Sequence, residues 1–223
     1  MIPLAELSHV SYNYENITAL DDISCKINTG DFILLAGPNG CGKSTLFKLL
    51  NGLIFPSAGT YLFDGREITP QLLKNNLTAK SFHKRIGYVF QNPDAQLFNP
   101  TVYDEIAFGP RQMAISENEI AKRVDNLLEF LKIGHLRQRA PYHLSGGEKK
   151  KTAIAAVLSL NPELIMMDEP LNGLDEKSRD WVENFIINFS ASGKTMIIAS
   201  HEKELLSMKC SKTLQFNEYH KLV

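Results

Sequence analysis

Cysteine is scarce in this 223-residue chain: there are three, an odd number, and Cys41 sits inside a glycine-rich loop where a disulfide would distort the backbone. A disulfide framework is excluded, and a reducing, cytosolic compartment is expected. An excess of charge of one sign is also missing, since 24 Lys and Arg against 25 Asp and Glu leave a formal net charge of -1. There is then no electrostatic reason to expect a nucleic-acid partner. The basic run Lys149-Lys150-Lys151 is expected to be a solvated helix face. No uncharged apolar run reaches about 18 residues, and Met1-Ile2-Pro3-Leu4-Ala5-Glu6 lacks a basic region followed by an apolar one, so neither a membrane span nor a signal peptide is expected. Repeats, low-complexity stretches and sustained heptads are absent too. What is present is 43% hydrophobic content, enough for one well-buried domain carrying a subdomain.

The densest signal is Gly37-Pro38-Asn39-Gly40-Cys41-Gly42-Lys43-Ser44, continued by Thr45 and entered from the apolar run Phe32-Ile33-Leu34-Leu35-Ala36. Its glycines let the backbone turn tightly and aim N–H groups at phosphate oxygens, while the helix starting near Lys43 adds its positive dipole end. Lys43 is placed to reach β and γ phosphates, and Ser44 to ligate Mg²⁺. This is a P-loop for a nucleoside triphosphate.

In the first half, strand-type runs are predicted at Leu4 to Tyr12, Ile23 to Ile27, Phe32 to Ala36, Gly59 to Phe63 and Ile86 to Phe90, with a helix only after the phosphate loop. Between about 101 and 151 the period becomes helical, and Ile120, Val124, Leu127, Leu128 and Leu131 form one apolar face. The last third predicts an apolar helical segment over 152–160, a strand over 164–167, a helix over 176–189, a strand over 195–199, a short helix around 202–208 and a strand over 212–216. The alternation argues for an α/β fold with a parallel, helix-covered sheet and its ligand at the strand carboxyl ends.

Leu164-Ile165-Met166-Met167 ends in Asp168-Glu169-Pro170, a buried-type strand leaving two carboxylates at the sheet edge. Asp168 would hold Mg²⁺, and Glu169 would polarise an attacking water. Since neighbours on a strand point to opposite sides, a bend at Pro170 is expected to turn Glu169 inward. Upstream, Leu144-Ser145-Gly146-Gly147-Glu148 precedes an apolar-periodic segment, offering a serine hydroxyl, glycine N–H groups and a helix N-terminus to a second anion. In isolation the same element reads as a serine N-cap with two flexible glycines.

Together these motifs resemble the ABC transporter ATPase family. The resemblance covers nearly the whole chain and implies a P-loop NTPase core with a mixed, mainly parallel sheet, an N-terminal antiparallel β subdomain and an inserted helical subdomain. One ABC ATPase domain would span 1–223, with the nucleotide-binding core at about 1–98 and 152–223 and the signature subdomain at about 99–151. The cofactors implied are ATP and Mg²⁺. Tyr14 matches the aromatic that stacks on adenine, with Tyr12 the lesser candidate. Gln91 matches the glutamine that contacts Mg²⁺ and the water, and His201 the histidine that hydrogen-bonds the γ-phosphate. Lys43, Gln91, Glu169 and His201 are thereby the catalytic set, and Ser44, Gln91 and Asp168 the metal set. The resemblance also implies a head-to-tail pairing of two ATPase subunits, with Ser145, Gly146 and Gly147 of one facing the γ-phosphate of the other. Asp175, in Asn172-Gly173-Leu174-Asp175, would help couple the two.

Gln91 to Phe98, Thr101-Val102 and Ala107 to Pro110 resemble the ATPases of energy-coupling-factor importers and their cobalt or nickel relatives, which take up vitamins or transition-metal ions. That implies a peripheral protein on the cytoplasmic membrane face, partnered by a second ATPase copy or paralogue, a transmembrane coupling subunit and a substrate-capture protein. Leu97 and Phe98 stand as either partner interface or core. Leu171, Glu148 and Ser200 replace the family's more frequent threonine, glutamine and threonine, removing no catalytic group. The chain ends soon after residue 216, without the C-terminal dimerisation segment of many such ATPases, so its pairing is expected to rest more heavily on ATP. Another ABC transporter ATPase, such as an exporter's, or a soluble non-transport ABC ATPase is the alternative; the latter types carry two ATPase domains or long coiled coils.

Overall fold

The structure is a computed structural model describing residues 2–223, apart from the side chains of Lys203 and Glu204. Two sheets carry it. The first is antiparallel, in the order β2 (Ile17–Ile27), β1 (Ala5–Tyr14), β4 (Ala58–Phe63), β5 (Arg66–Glu67). The second is β6 (Ile86–Val89), β7 (Leu164–Asp168), β8 (Thr195–Ala199), β3 (Phe32–Ala36), β9 (Lys212–Gln215), and its pairings among the described residues are all parallel. Strands β3, β7 and β8 are buried at every position, as continuous apolar runs covered on both faces must be.

Helix α1 (Lys43–Leu50) fills the space between the sheets with Leu46, Phe47, Leu49 and Leu50. On the other face of the parallel sheet, α6 (Gly146–Leu158) and α7 (Glu176–Ala191) contribute Ala153, Ile154, Val182 and Ile186 to a second core. A third core joins α4 (Val102–Gln112) and α5 (Glu117–Phe130) to Ala155 of α6. The predicted face of α5 is there: Ile120, Val124, Leu128 and Leu131 are buried and Leu127 packs at the edge.

The expectation of a single helix in the first half is overturned by α2 (Pro70–Leu73) and α3 (Asn76–Arg85). Their start signals are side-chain caps, Thr69 accepting from Leu72 N–H and Asn75 from Thr78 N–H. Since α3 buries only Phe82, it shows no apolar period to read. Strand β2 begins six residues before the expected Ile23, its first two residues, Ile17 and Thr18, lying exposed and so outside any apolar run. Helix α6 begins at Gly146 rather than near 152, on a capping box between Ser145 and Glu148. A short helix, α8 (Lys203–Leu206), precedes β9.

Register brings the strand ends that carry the candidate residues together: Asp168 lies beside Ala199, and Ala199 beside Leu35, so β3, β7 and β8 stop at one level. Ser200 N–H donates to Leu35 C=O at 3.2 Å and Glu169 N–H to Ala199 C=O at 2.9 Å, extending this alignment into the loops.

Candidate functional site

At that carboxyl edge lies a cavity of about 330 Å³ lined by Asn39, Gly40, Gly42, Lys43, Ser44, Thr45, Gln91, Asp168, Glu169, Asn172 and His201. Four separate stretches of sequence thus converge there. Gly42 caps α1 with a φ of +112°, and an added Cβ would collide with the Ala19 carbonyl, so only glycine fits this corner. The Lys43 ammonium, almost wholly buried, donates to Gly37 C=O at 2.8 Å and Pro38 C=O at 3.1 Å, while Glu169 Oε1 stands 3.9 Å away. Cys41 is buried, and burial pushes its thiol above the ordinary range, leaving it inert packing within the loop.

Asp168 ends β7 with its carboxylate buried. Burial pushes its carboxyl up, opposed by hydrogen bonds from Ser44 and Tyr88, raised further by Glu169 and lowered by Lys43. The Tyr88 hydroxyl donates to Oδ2 at 3.1 Å. Glu169 turns inward at its own backbone, with a φ of +41°, rather than through a bend confined to Pro170. That left-handed conformation costs a non-glycine residue on the order of 1–3 kcal/mol, and it places both acids on the buried side. His201 Nδ1 lies 3.0 Å from Glu169 Oε1. Glu169 Oε2 is buried without a hydrogen-bond partner, an unusual state for a carboxylate oxygen and one that a bound donor would relieve.

Those groups fit a metal–triphosphate. Ser44 and Asp168, already hydrogen-bonded to each other, and the nearby Gln91 amide are oxygen donors of the kind Mg²⁺ takes, with Lys43 and the loop amides placed for phosphates.

Other expected residues lie apart from this cavity. Tyr14, at the end of β1, is partly exposed, edge-on to Tyr12 at 5.0 Å, with Lys48 of α1 5.8 Å from its ring centroid. Ser145 caps α6, and Asp175 caps α7 by accepting from Ser178 N–H at 2.9 Å. An added Cβ on Gly147 would strike Ser178 Oγ, so the two capped ends are in van der Waals contact. Gly146 instead lines a neighbouring cavity with Gln91, Asn92, Lys150 and Asn172. Of the ambiguous pair, Leu97 packs on the second core while Phe98 is exposed, stacked edge-on against Phe108 at 5.0 Å.

Three contributors were missed. Asn172 lines the phosphate cavity, and Tyr88 holds Asp168. Lys150 contradicts the solvated-face expectation: it is fully buried and bonds the Phe90 and Gln91 carbonyls. Three consecutive lysines on a helix point about 100° apart and spread over about 200° of its circumference, so one member can face inward while its neighbours stay wet.

A phosphate loop at the end of one parallel strand, with two acids at the end of the next but one, defines a P-loop nucleotide hydrolase. The ABC transporter family profile matches residues 20–172, and the chain belongs to that family. It is an ATPase of the kind that couples ATP hydrolysis to transport. It is 43% identical to the nickel import ATP-binding protein LarO of Lactiplantibacillus plantarum, over 98% of this chain and 91% of that protein. It is 40% identical to the energy-coupling factor transporter ATP-binding protein EcfA of Methanothermobacter thermautotrophicus, over 96% of this chain and 68% of that one. A solved structure of cbiO1 from Clostridium perfringens, part of the ABC transporter complex cbiONQ, superposes with a TM-score of 0.86 at 34% identity, over 100% of this chain and 88% of that one.

Proposed function

We propose that this chain powers uptake of a transition-metal ion, nickel or cobalt, or of a vitamin, as the peripheral ATPase of an energy-coupling-factor importer on the cytoplasmic membrane face. The observation that carries this is near-full-length similarity to a nickel import ATP-binding protein. Its partners are a second ATPase subunit, identical or paralogous and arranged head to tail, a transmembrane coupling subunit and a substrate-capture membrane protein. The core at 1–98 and 152–223 holds the nucleotide; the helical part at 99–151 carries Ser145, Gly146 and Gly147 to the partner's phosphate, with Asp175 coupling the two. Among the described residues no helix is long and apolar enough to cross a membrane, so passage of the cargo falls to the partners.

On this proposal Tyr14 stacks on adenine and Lys43 with residues 37–45 clamps the phosphates. Ser44, Asp168 and Gln91 hold Mg²⁺, which neutralises phosphate charge when bound. Glu169 Oε2, the unpartnered oxygen, accepts the proton of the attacking water. His201 donates from Nδ1 to the other oxygen or, as the other tautomer, from Nε2 to the γ-phosphate, and serves both only when both ring nitrogens carry a proton. Loss of the γ-phosphate removes the contacts of Ser145 and His201, and the pair opens.

The test is to purify tagged Glu169→Gln from its native membranes with ATP and identify co-purifying chains by mass spectrometry, alongside uptake of radioactive nickel and cobalt by cells lacking the gene. Recovery of membrane subunits and loss of metal uptake are expected. Recovery of soluble proteins alone, with uptake intact, would overturn the importer.

A further inference from the structure

Lys150 lies on α6, five residues after Ser145, and is fully buried. Its Nζ donates to Phe90 C=O at 3.2 Å and to Gln91 C=O at 3.1 Å. Strand β6 ends at Val89, so these two carbonyls lie just past its end, and the helix supplies the donors they need. An ammonium buried this deeply is costly unless its hydrogen bonds are used, and a methionine would fill similar space without that cost. The same turn is tied to α6 twice more. Gln96 accepts from Phe90 N–H at 2.9 Å and donates to Ala153 C=O at 3.4 Å, and Lys149 pairs with Asp94 at 2.6 Å. The Lys149 pair is on the surface, with Asp94 well exposed, where such pairs contribute little. Lys150 is the member shielded from water.

We propose that Lys150 is a positioning residue: it fixes the Gln91 main chain to helix α6, so that entry of the Gln91 amide into the metal–phosphate cavity and movement of the Ser145–Gly147 end are a single motion. This piece lines the phosphate cavity through Gln91, and its capped end, through Gly146, lines the neighbouring cavity that shares Gln91 and Asn172 with it. Cutting the Lys150 bonds leaves both ends folded and tied to each other only through Gln96 and the Lys149–Asp94 pair, a looser link. The proposal rests on the reading of Gln91 as a contact of the metal.

In a Glu169→Gln background, which holds ATP unhydrolysed, Lys150→Met, Lys150→Arg and Gln91→Ala are compared by Mg²⁺ titration of fluorescent ATP-analogue binding, and by hydrogen exchange over 90–96. Lys150→Met is expected to raise the Mg²⁺ half-saturation about tenfold, the scale of one lost charge-assisted hydrogen bond, as Gln91→Ala does. It should leave Mg²⁺-free nucleotide affinity unchanged and speed exchange over 90–96. Lys150→Arg, which keeps donors for both carbonyls, should restore most of the difference. A shift in Gln91→Ala with none in Lys150→Met overturns the role of Lys150 alone. No shift in Gln91→Ala removes the reading of Gln91, and the proposal with it. Should Lys150→Met fail to fold, Lys150→Gln takes its place with the same criteria.

Discussion

His201 Nδ1 sits 3.0 Å from Glu169 Oε1, so one oxygen of the buried acid is committed to the imidazole while the other has no partner. In the proposed mechanism each oxygen then has one task, orientation or proton acceptance. Removing the imidazole by His201→Ala leaves Glu169 free to rotate towards Lys43, whose Nζ is already 3.9 Å from the same oxygen. A fall in kcat of about a hundredfold with little change in ATP affinity is expected. Steady-state phosphate release with parallel binding measurements checks it, and unchanged kcat would dismiss the role.

Lys43→Ala removes the ammonium that two loop carbonyls hold in place. ATP affinity is expected to fall by about a hundredfold or more, as loss of paired charge-assisted bonds implies. Equilibrium dialysis with radiolabelled ATP reads this directly, and wild-type affinity would undo the phosphate-loop assignment.

For Tyr14, partly exposed at the end of β1, replacement by alanine should weaken ATP binding by about 1–3 kcal/mol, the usual worth of base stacking, while Tyr14→Phe should match wild type. Were Tyr12→Ala to show the loss instead, the adenine platform would be Tyr12.

Lys150 makes stability depend on pH. Burial lowers its amine from the usual 10.5 to about 8. Below about pH 8 the folded state bears the cost of a buried ammonium; between about 8 and 10.5 the folded amine is neutral while the unfolded one still binds a proton, so stability from this group rises with pH. The gain is on the order of 3 kcal/mol at most. Chemical denaturation at about pH 7.5 and about pH 10 should show wild type gaining on Lys150→Met by up to that amount. Equal pH responses would place the amine's titration elsewhere. A neutral amine keeps two N–H donors, so the tie to Phe90 and Gln91 outlasts deprotonation.

The phosphate loop, the Asp168-Glu169 strand end and the helical segment were legible because each is local: a turn built from adjacent glycines, an apolar run, a period of 3.6. Helix α3 was not, since its single buried residue, Phe82, leaves no period and its start depends on the Asn75 cap. The inward turn of Glu169 was expected, but its seat at the acid's own positive φ was not, because nothing in the residue type favours that conformation. Lys150, Tyr88 and Asn172 were invisible for another reason: each acts on groups brought close only by folding, Lys150 on carbonyls 59 and 60 residues away and Tyr88 on a carboxylate 80 residues away.

In the proposed mechanism Glu169 takes the proton of the water that cleaves ATP held by Lys43, Ser44 and Asp168. Single-turnover hydrolysis of radiolabelled Mg²⁺-ATP by the purified transport complex, wild type against Glu169→Gln, tests it most directly. Equal ATP bound at the start is expected, with phosphate release at least about a hundredfold slower in the variant and ATP retained. Equal rates of release from equally loaded complexes would contradict it.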